Sequence, residues 1–291
     1  MDSSSHLETI IQKKYGAANL QAVFTDIEKY SMRKSTAQKD VIEAFTNLTK
    51  KSLHTLGQQY LDYTQEHNIN FANDIIRIPT GDGLAIVFSF EGLQQIHLDF
   101  AKALLFVIHE KNIATPCETF EKEGWCNCHD NFRVRIGISE GKGIVYKDVN
   151  GSYNVAGATI NVAARIMNLA DGMQILLSDL AYHNLIDMTT DTKLEEKFRV
   201  FKDLQVKHGV KLDIYQYSPR DEAFVNSLEP SRIALMIKMR ELQEEMGAHL
   251  LPSPDQIREL NDEAKLKFFE AWVALIDQMK KLFQEVKPLH E

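Results

Sequence analysis

The chain is poor in cysteine, in net positive charge and in long apolar runs. Only three cysteines occur in 291 residues. An odd, small number of thiols argues against a structural disulfide framework. Acidic residues outnumber basic ones by 41 to 33, for a formal net charge of −8. That balance argues against a broad nucleic-acid-binding surface. No stretch of about 20 uncharged apolar residues is present, so no membrane span is expected. The first residues, Met1-Asp2-Ser3-Ser4-Ser5-His6, lack the basic-then-apolar order of a signal peptide. There is no internal repeat and no low-complexity segment. The expectation is a soluble, cytoplasmic protein with neither nucleic acid nor membrane as partner. Its 44% hydrophobic content is enough for a sizeable core.

Two aspartates stand in matching strand-then-turn settings. The apolar run Ala22-Val23-Phe24 leads through Thr25 into Asp26, which reads as a buried strand ending at a carboxylate. The runs Ile75-Ile76-Arg77-Ile78 and Leu84-Ala85-Ile86-Val87-Phe88 flank Pro79-Thr80-Gly81-Asp82-Gly83. This reads as a β-hairpin with Asp82 at its tip. If the strands are neighbours, both carboxylates lie at one end of one sheet. Hard divalent cations favour a few such oxygens completed by substrate phosphates. Further on, Gly157 precedes a helix carrying Asn161 and Arg165. Four residues apart, they share a helix face. The planar fork of Arg suits phosphate oxygens, and Asn can bond a ribose oxygen.

These segments, in this order, resemble the class III nucleotidyl cyclases, the adenylate/guanylate cyclase catalytic domain. The resemblance covers about residues 20–218. It rests on Phe24-Thr25-Asp26-Ile27, Thr80-Gly81-Asp82, Arg135-Ile136-Gly137-Ile138-Ser139-Glu140-Gly141, the Gly157–Arg165 segment and Gln174-Ile175-Leu176-Leu177-Ser178. It implies that Asp26 and Asp82, helped by the Ile27 carbonyl, bind two divalent cations, Mn²⁺ or Mg²⁺. It implies that Asn161 orients the ribose and that Arg165 stabilises the transition state. The 3′-hydroxyl of a nucleoside triphosphate would attack the α-phosphate and expel pyrophosphate. Lys142 aligns with a basic phosphate-contacting position of some members. Lys207 and Lys211 lie near another, and Lys29 replaces a loop glycine of the family and could itself meet a phosphate. In the family, metal residues and the Asn/Arg pair come from different domains. One cyclase domain carrying both sets therefore implies a homodimer with composite sites.

The base-reading positions of the family fall on Ile78 and Asn154. Adenylate cyclases typically carry Lys and Asp there, and guanylate cyclases Glu and Cys or a similar residue. Ile78 cannot hydrogen-bond a base, whereas Asn154 offers both a donor and an acceptor. Arg77 and Tyr153 flank these positions, and strand alternation is expected to turn them away. With the purine readers missing, the chain looks most like the bacterial Pycsar-type pyrimidine cyclases. That likeness implies cyclic UMP, or cyclic CMP, made as a second messenger in antiphage defence. An adenylate or guanylate cyclase with an atypical base pocket, and a non-catalytic nucleotide-binding module, are the alternatives.

The expected architecture is α+β: a ferredoxin-like cyclase domain at 20–218, a helical lead-in at 1–19 and a helical C-terminal extension at 219–291. A long helix is expected over 35–67, and a final hairpin over 198–217. In the extension, Ile257, Leu260, Ala264, Phe268, Trp272, Leu275, Met279, Phe283 and Val286 form an apolar stripe. The stripe packs on the cyclase domain or, alternatively, serves dimerisation or docks a regulator. Cys117, Cys126 and Cys128 cluster in a polar stretch with His129 nearby. Their spacing matches no common zinc pattern, and the stretch reads as an insertion loop.

Overall fold

The computed structural model describes residues 5–205 and 211–245, and positions 261, 263, 267, 270, 273, 274 and 277. The chain divides into two compact units, Met1–Leu228 and Glu229–Glu291. The first is a mixed α+β domain around one large sheet. Its strands are β1 (Ala17–Ile27), β2 (Ile76–Pro79), β3 (Gly83–Phe88), β4 (Val134–Lys147), β5 (Tyr153–Ala156), β6 (Ile175–Ser178), β7 (Phe198–Gln205) and β8 (Lys211–Tyr217). The sheet order is β2-β3-β1-β4-β6-β8-β7, with β5 pairing to β4. All pairings are antiparallel except β4 with β6.

Strand alternation divides the core in two. Val23 and Ile27 of β1, with Ile86, Phe88, Val134, Ile136 and Ile138, face one side. There they meet the apolar faces of α2 (Ser35–Gln59), α4 (Ile96–Ala114) and α7 (Asp179–Met188). The buried positions Val41, Phe45, Ser52, Leu53 and Leu56 of α2 recur at helical spacing. Leu20 and Ala22, the alternate residues of β1, face the other side with Ile76 and Val87. That side is covered by α1 (His6–Gln12), β5 and α6 (Ala158–Met167), through Leu7, Ile10, Val155 and Ala163. Asp26 has the same parity as Leu20 and Ala22 and so belongs to this second face.

Two local expectations are corrected. The helix expected over 35–67 breaks at Tyr60, and α3 (Leu61–Glu66) follows. The break comes three residues after Gly57, a weak helix former, and the Tyr60 hydroxyl donates to Asp99 Oδ2 at 2.7 Å. The insertion after α4 is not purely a loop. It contains α5 (Glu118–Glu123), closed by Gly124 in the left-handed region, and buries Phe120. Within it Cys126 and Cys128 are joined in a disulfide. A bond spanning one intervening residue closes too short a loop to serve as a framework.

The second unit begins with α8 (Ser231–Glu245). The apolar stripe expected between 257 and 286 lies outside the described residues. Among the described residues, no helix is long and apolar enough to cross a membrane.

Candidate active site

The site starts where β1 runs out. Asp26 lies opposite Gly83 of β3 on one side and Arg135 of β4 on the other. Gly83 is there because nothing larger fits: a Cβ would stand 2.1 Å from the Thr25 carbonyl oxygen. The β2–β3 turn closes through Thr80 N–H donating to Gly83 O, with Gly81 at φ 93°. Ile27 N–H then donates to the Asp82 carbonyl at 3.1 Å, which ties the tip of the hairpin to the end of β1. The two aspartates are thus held side by side by backbone geometry.

Asp26 is 9% exposed and forms an ion pair with Arg135. Burial raises its carboxyl pKa above the usual range. Arg135 opposes that rise, and neighbouring Asp82 adds to it. The buried Nε of Arg135 has no partner among the described residues. Arg135 pairs with Asp26, and Asp82 adjoins that pair with no ion pair of its own among the described residues. The two carboxylates are a donor set of hard oxygens fitted to divalent cations. Sequence reading quoted Arg135 only as part of a strand motif and missed its pairing with Asp26. The available signal was a basic residue set among the apolar residues Val134, Ile136 and Ile138.

Helix α6 sits on the same face of the sheet. Gly137, two residues beyond Arg135, makes the seat: a Cβ there would lie 2.3 Å from both Ala163 O and Met167 N. Thr159, Ala163, Ile166 and Met167 are buried against the sheet. Asn161 is exposed and Arg165 half-buried, so the pair occupies the flank of α6 turned from its buried side. Neither side chain makes a hydrogen bond or ion pair among the described residues.

The candidate base positions lie on β2 and β5, which approach one another. Ile78 is half-buried and packs against the cluster of Leu20, Ala22, Ile76 and Val155. Tyr153 packs against the same cluster and is not turned away from it, contrary to expectation. Its hydroxyl donates to Glu8 Oε1 at 2.7 Å. Asn154, the intervening residue, accepts a bond from its own neighbour, Val155 N, at 2.7 Å. Arg77 does turn away, donating to the carbonyls of Ala72 and Ile75.

The candidate phosphate-binding lysines are scattered. Lys29 adopts φ 53°, the conformation that a glycine takes most readily, and its Nζ donates to Glu123 O at 3.4 Å. Lys142 is exposed and lies opposite Asn19 of β1. Asn19 and Asp26 are separated along β1 by roughly 23 Å, at about 3.3 Å per residue. Lys142 is thus remote from the carboxylates of its own chain. Lys207 lies outside the described residues.

The profile of the adenylate and guanylate cyclase catalytic domain matches residues 16–217. A receptor-type adenylate cyclase of Trypanosoma congolense is 30% identical over 79 residues, 27% of this chain. The match spans only 11% of the length of that curated relative. Among solved structures, the catalytic core of a rhodopsin-guanylyl cyclase with converted specificity, in complex with ATPαS, aligns with a TM-score of 0.50. It is 18% identical, over 70% of this chain and 98% of that one. The adenylyl cyclase CyaB from P. aeruginosa aligns at 0.47 and 18% identity, over 71% and 97%. The likeness at a TM-score of 0.50 speaks for the fold, and the profile spans well over half of the sequence. The chain belongs to the adenylate and guanylate cyclase catalytic domain family.

Proposed function

We propose that the protein is a nucleotidyl cyclase that converts a pyrimidine nucleoside triphosphate, UTP before CTP, to its 3′,5′-cyclic monophosphate and pyrophosphate. The observation that carries the reading of the chemistry is the paired Asp26 and Asp82, tied together at the end of β1, with Arg135 the one ion-pair partner of Asp26 among the described residues. With the Ile27 carbonyl they would hold two divalent cations, Mg²⁺ or Mn²⁺, which activate the attacking 3′-oxygen and neutralise charge on the leaving group. Asn161 orients the ribose. Arg165 places its guanidinium where charge develops on the α-phosphate. The bond from O3′ to the α-phosphorus forms, the α–β bridge breaks, and the 3′-proton passes to solvent. Most of the acceleration comes from positioning and charge.

The family resemblance is what supports a composite site. Asp26 and Asp82 sit at a strand end, whereas Asn161 and Arg165 line a flank of α6 with no partner among the described residues. A second copy of the chain supplies the missing set to each site, and Lys142 of that copy is then free to reach the phosphates.

The pyrimidine preference rests on Ile78. An apolar side chain leaves no donor or acceptor for a purine edge at that position, and Ile78 and Tyr153 crowd one cluster, which favours a smaller base. Asn154 keeps the hydrogen-bonding capacity to read it. The product would serve as a second messenger, and antiphage signalling is the role that the sequence likeness favours.

The test is incubation of the pure protein with Mn²⁺ and ATP, GTP, CTP or UTP separately, with products identified by mass spectrometry. Cyclic UMP or cyclic CMP, lost in Asp82→Ala, is expected. Cyclic AMP or cyclic GMP alone would replace this reading with a purine cyclase of atypical pocket.

A further inference from the structure

The insertion between α4 and β4 gathers every cysteine of the chain. Cys117 caps the start of α5, and Cys126 and Cys128 follow the left-handed turn at Gly124. The short helix α5 folds the ends of the segment together, so that the three sulfur atoms lie within 4.8 Å of one another. Among the described residues, no other group of three or more His, Cys, Asp or Glu side chains converges in this way.

A second observation points to an anion at this spot. Arg33 is 3% exposed, and its Nη1 donates to the Cys126 carbonyl at 2.9 Å. Its Nε and Nη2 are buried with no partner among the described residues. No carboxylate pairs with it there. A buried guanidinium without a counter-charge is costly, and it marks a place where negative charge is expected. Three thiolates around a dication carry a net charge of −1, which answers that need.

We propose that, with the Cys126–Cys128 bond reduced, Cys117, Cys126 and Cys128 form a three-thiolate site for Zn²⁺, separate from the Asp26/Asp82 pair. Zinc–sulfur bonds of about 2.3 Å in tetrahedral array put ligand sulfurs about 3.8 Å apart, within the spacing the fold provides. Reduction of the disulfide consumes two electrons and two protons, supplied by a thiol or phosphine reductant that is itself oxidised. Each cysteine then releases its S–H proton to solvent as its bond to zinc forms. Water takes the fourth position.

The site is wired to the segment that follows Asp26. Arg33 bonds Cys126, Lys34 N–H donates to Asn127 Oδ1 at 2.7 Å, and Lys29 Nζ reaches Glu123 O. The segment that leads from Asp26 into α2 is therefore held by the same insertion that zinc would order.

The experiment uses the full chain, reduced with a phosphine, freed of excess reductant and titrated with Zn²⁺ against a chromophoric chelator. One equivalent is expected to bind and to protect all three cysteines from alkylation. Cd²⁺ is expected to give the ultraviolet charge-transfer band of three thiolates. Cys117→Ser should weaken binding by more than the roughly 10–100-fold that loss of an outer-shell partner costs, and Asp26→Asn should leave it unchanged. Alkylation of the zinc-loaded wild-type chain at the unprotected rate would overturn the proposal, without recourse to any variant. So would zinc affinity unchanged in Cys117→Ser, or lost in Asp26→Asn.

Discussion

Asp26 on β1 and Arg135 on β4 stand opposite one another in register and form an ion pair on the face of the sheet that α6 covers. The pair is not neutral overall, because Asp82 adjoins it. Burial, then Asp82, hold the Asp26 carboxyl above its ordinary pKa of 3.8 against the pull of Arg135. The folded chain therefore binds this proton more tightly than the unfolded chain does. Stability without divalent cations should fall as pH rises from about 4 through the raised value, and then level off. Urea denaturation in chelator across pH 4–8 measures this slope. Asp26→Asn should flatten it, and Mn²⁺ should stabilise the wild type more at pH 7 than at pH 4.

His97 predicts a slope of the opposite sign. It is fully buried, which pushes its pKa from 6.5 down to about 3. Glu140 lies 4.0 Å away, and its own carboxyl pKa is raised by burial. The unfolded chain binds the imidazole proton first. Stability contributed by neutral His97 is complete above pH 6.5 and is lost as pH falls toward 3, at up to about 1.4 kcal/mol per pH unit. His97→Gln should remove that slope between pH 6.5 and 5 in the same denaturation series.

The proposal that each site is shared between two chains makes complementation the decisive assay. Asp26→Ala and Arg165→Ala homodimers should each lose activity, Arg165→Ala by about 100–1,000-fold in kcat, as for loss of a charge-stabilising donor. Mixed under subunit exchange, the two should regain one working site per heterodimer, near a quarter to a half of wild-type activity for a random or complete exchange, read as cyclic product per milligram. Mixtures no more active than their components would place all four residues in one chain's site.

Much of this was legible in the sequence, for physical reasons. The β2–β3 hairpin, the Asp26 strand end and the α6 helix are written in local patterns of alternation and glycine placement. The chain expected to carry an α+β cyclase fold has it. What was not legible depends on register between distant segments. Asp26 and Arg135 are 109 residues apart, and only the β1–β4 ladder brings them together. The inward placement of Tyr153 is set by how β5 pairs with the extension of β4. The three thiols converge because α5 turns the insertion back on itself, and nothing in their spacing says so.

The base pocket is testable by restoring what the family carries. Ile78→Lys with Asn154→Asp installs the pair typical of adenylate cyclases on β2 and β5. A polar pocket left unpaired rejects the wrong base far more strongly than an apolar one does. The double variant should shift the ratio of cyclic AMP to cyclic UMP by at least about tenfold, measured with equal ATP and UTP. An unchanged ratio would move base recognition away from these two positions.

Gly137 tests how closely α6 must sit. Backbone atoms of Ala163 and Met167 occupy the space that a Cβ needs, and neither can swing aside as a flexible side chain would. Gly137→Ala must lift α6 from β4 or bend the strand. Overpacking of this kind costs about 1–3 kcal/mol, readable as a lower urea midpoint with an unchanged slope. Arg165 rides on the displaced helix, and misplacement by about an ångström can cost a hundredfold in rate. Gly137→Ala should therefore lose kcat well beyond its loss of folded protein. Full specific activity in the folded fraction would mean that the seat of α6 serves stability alone.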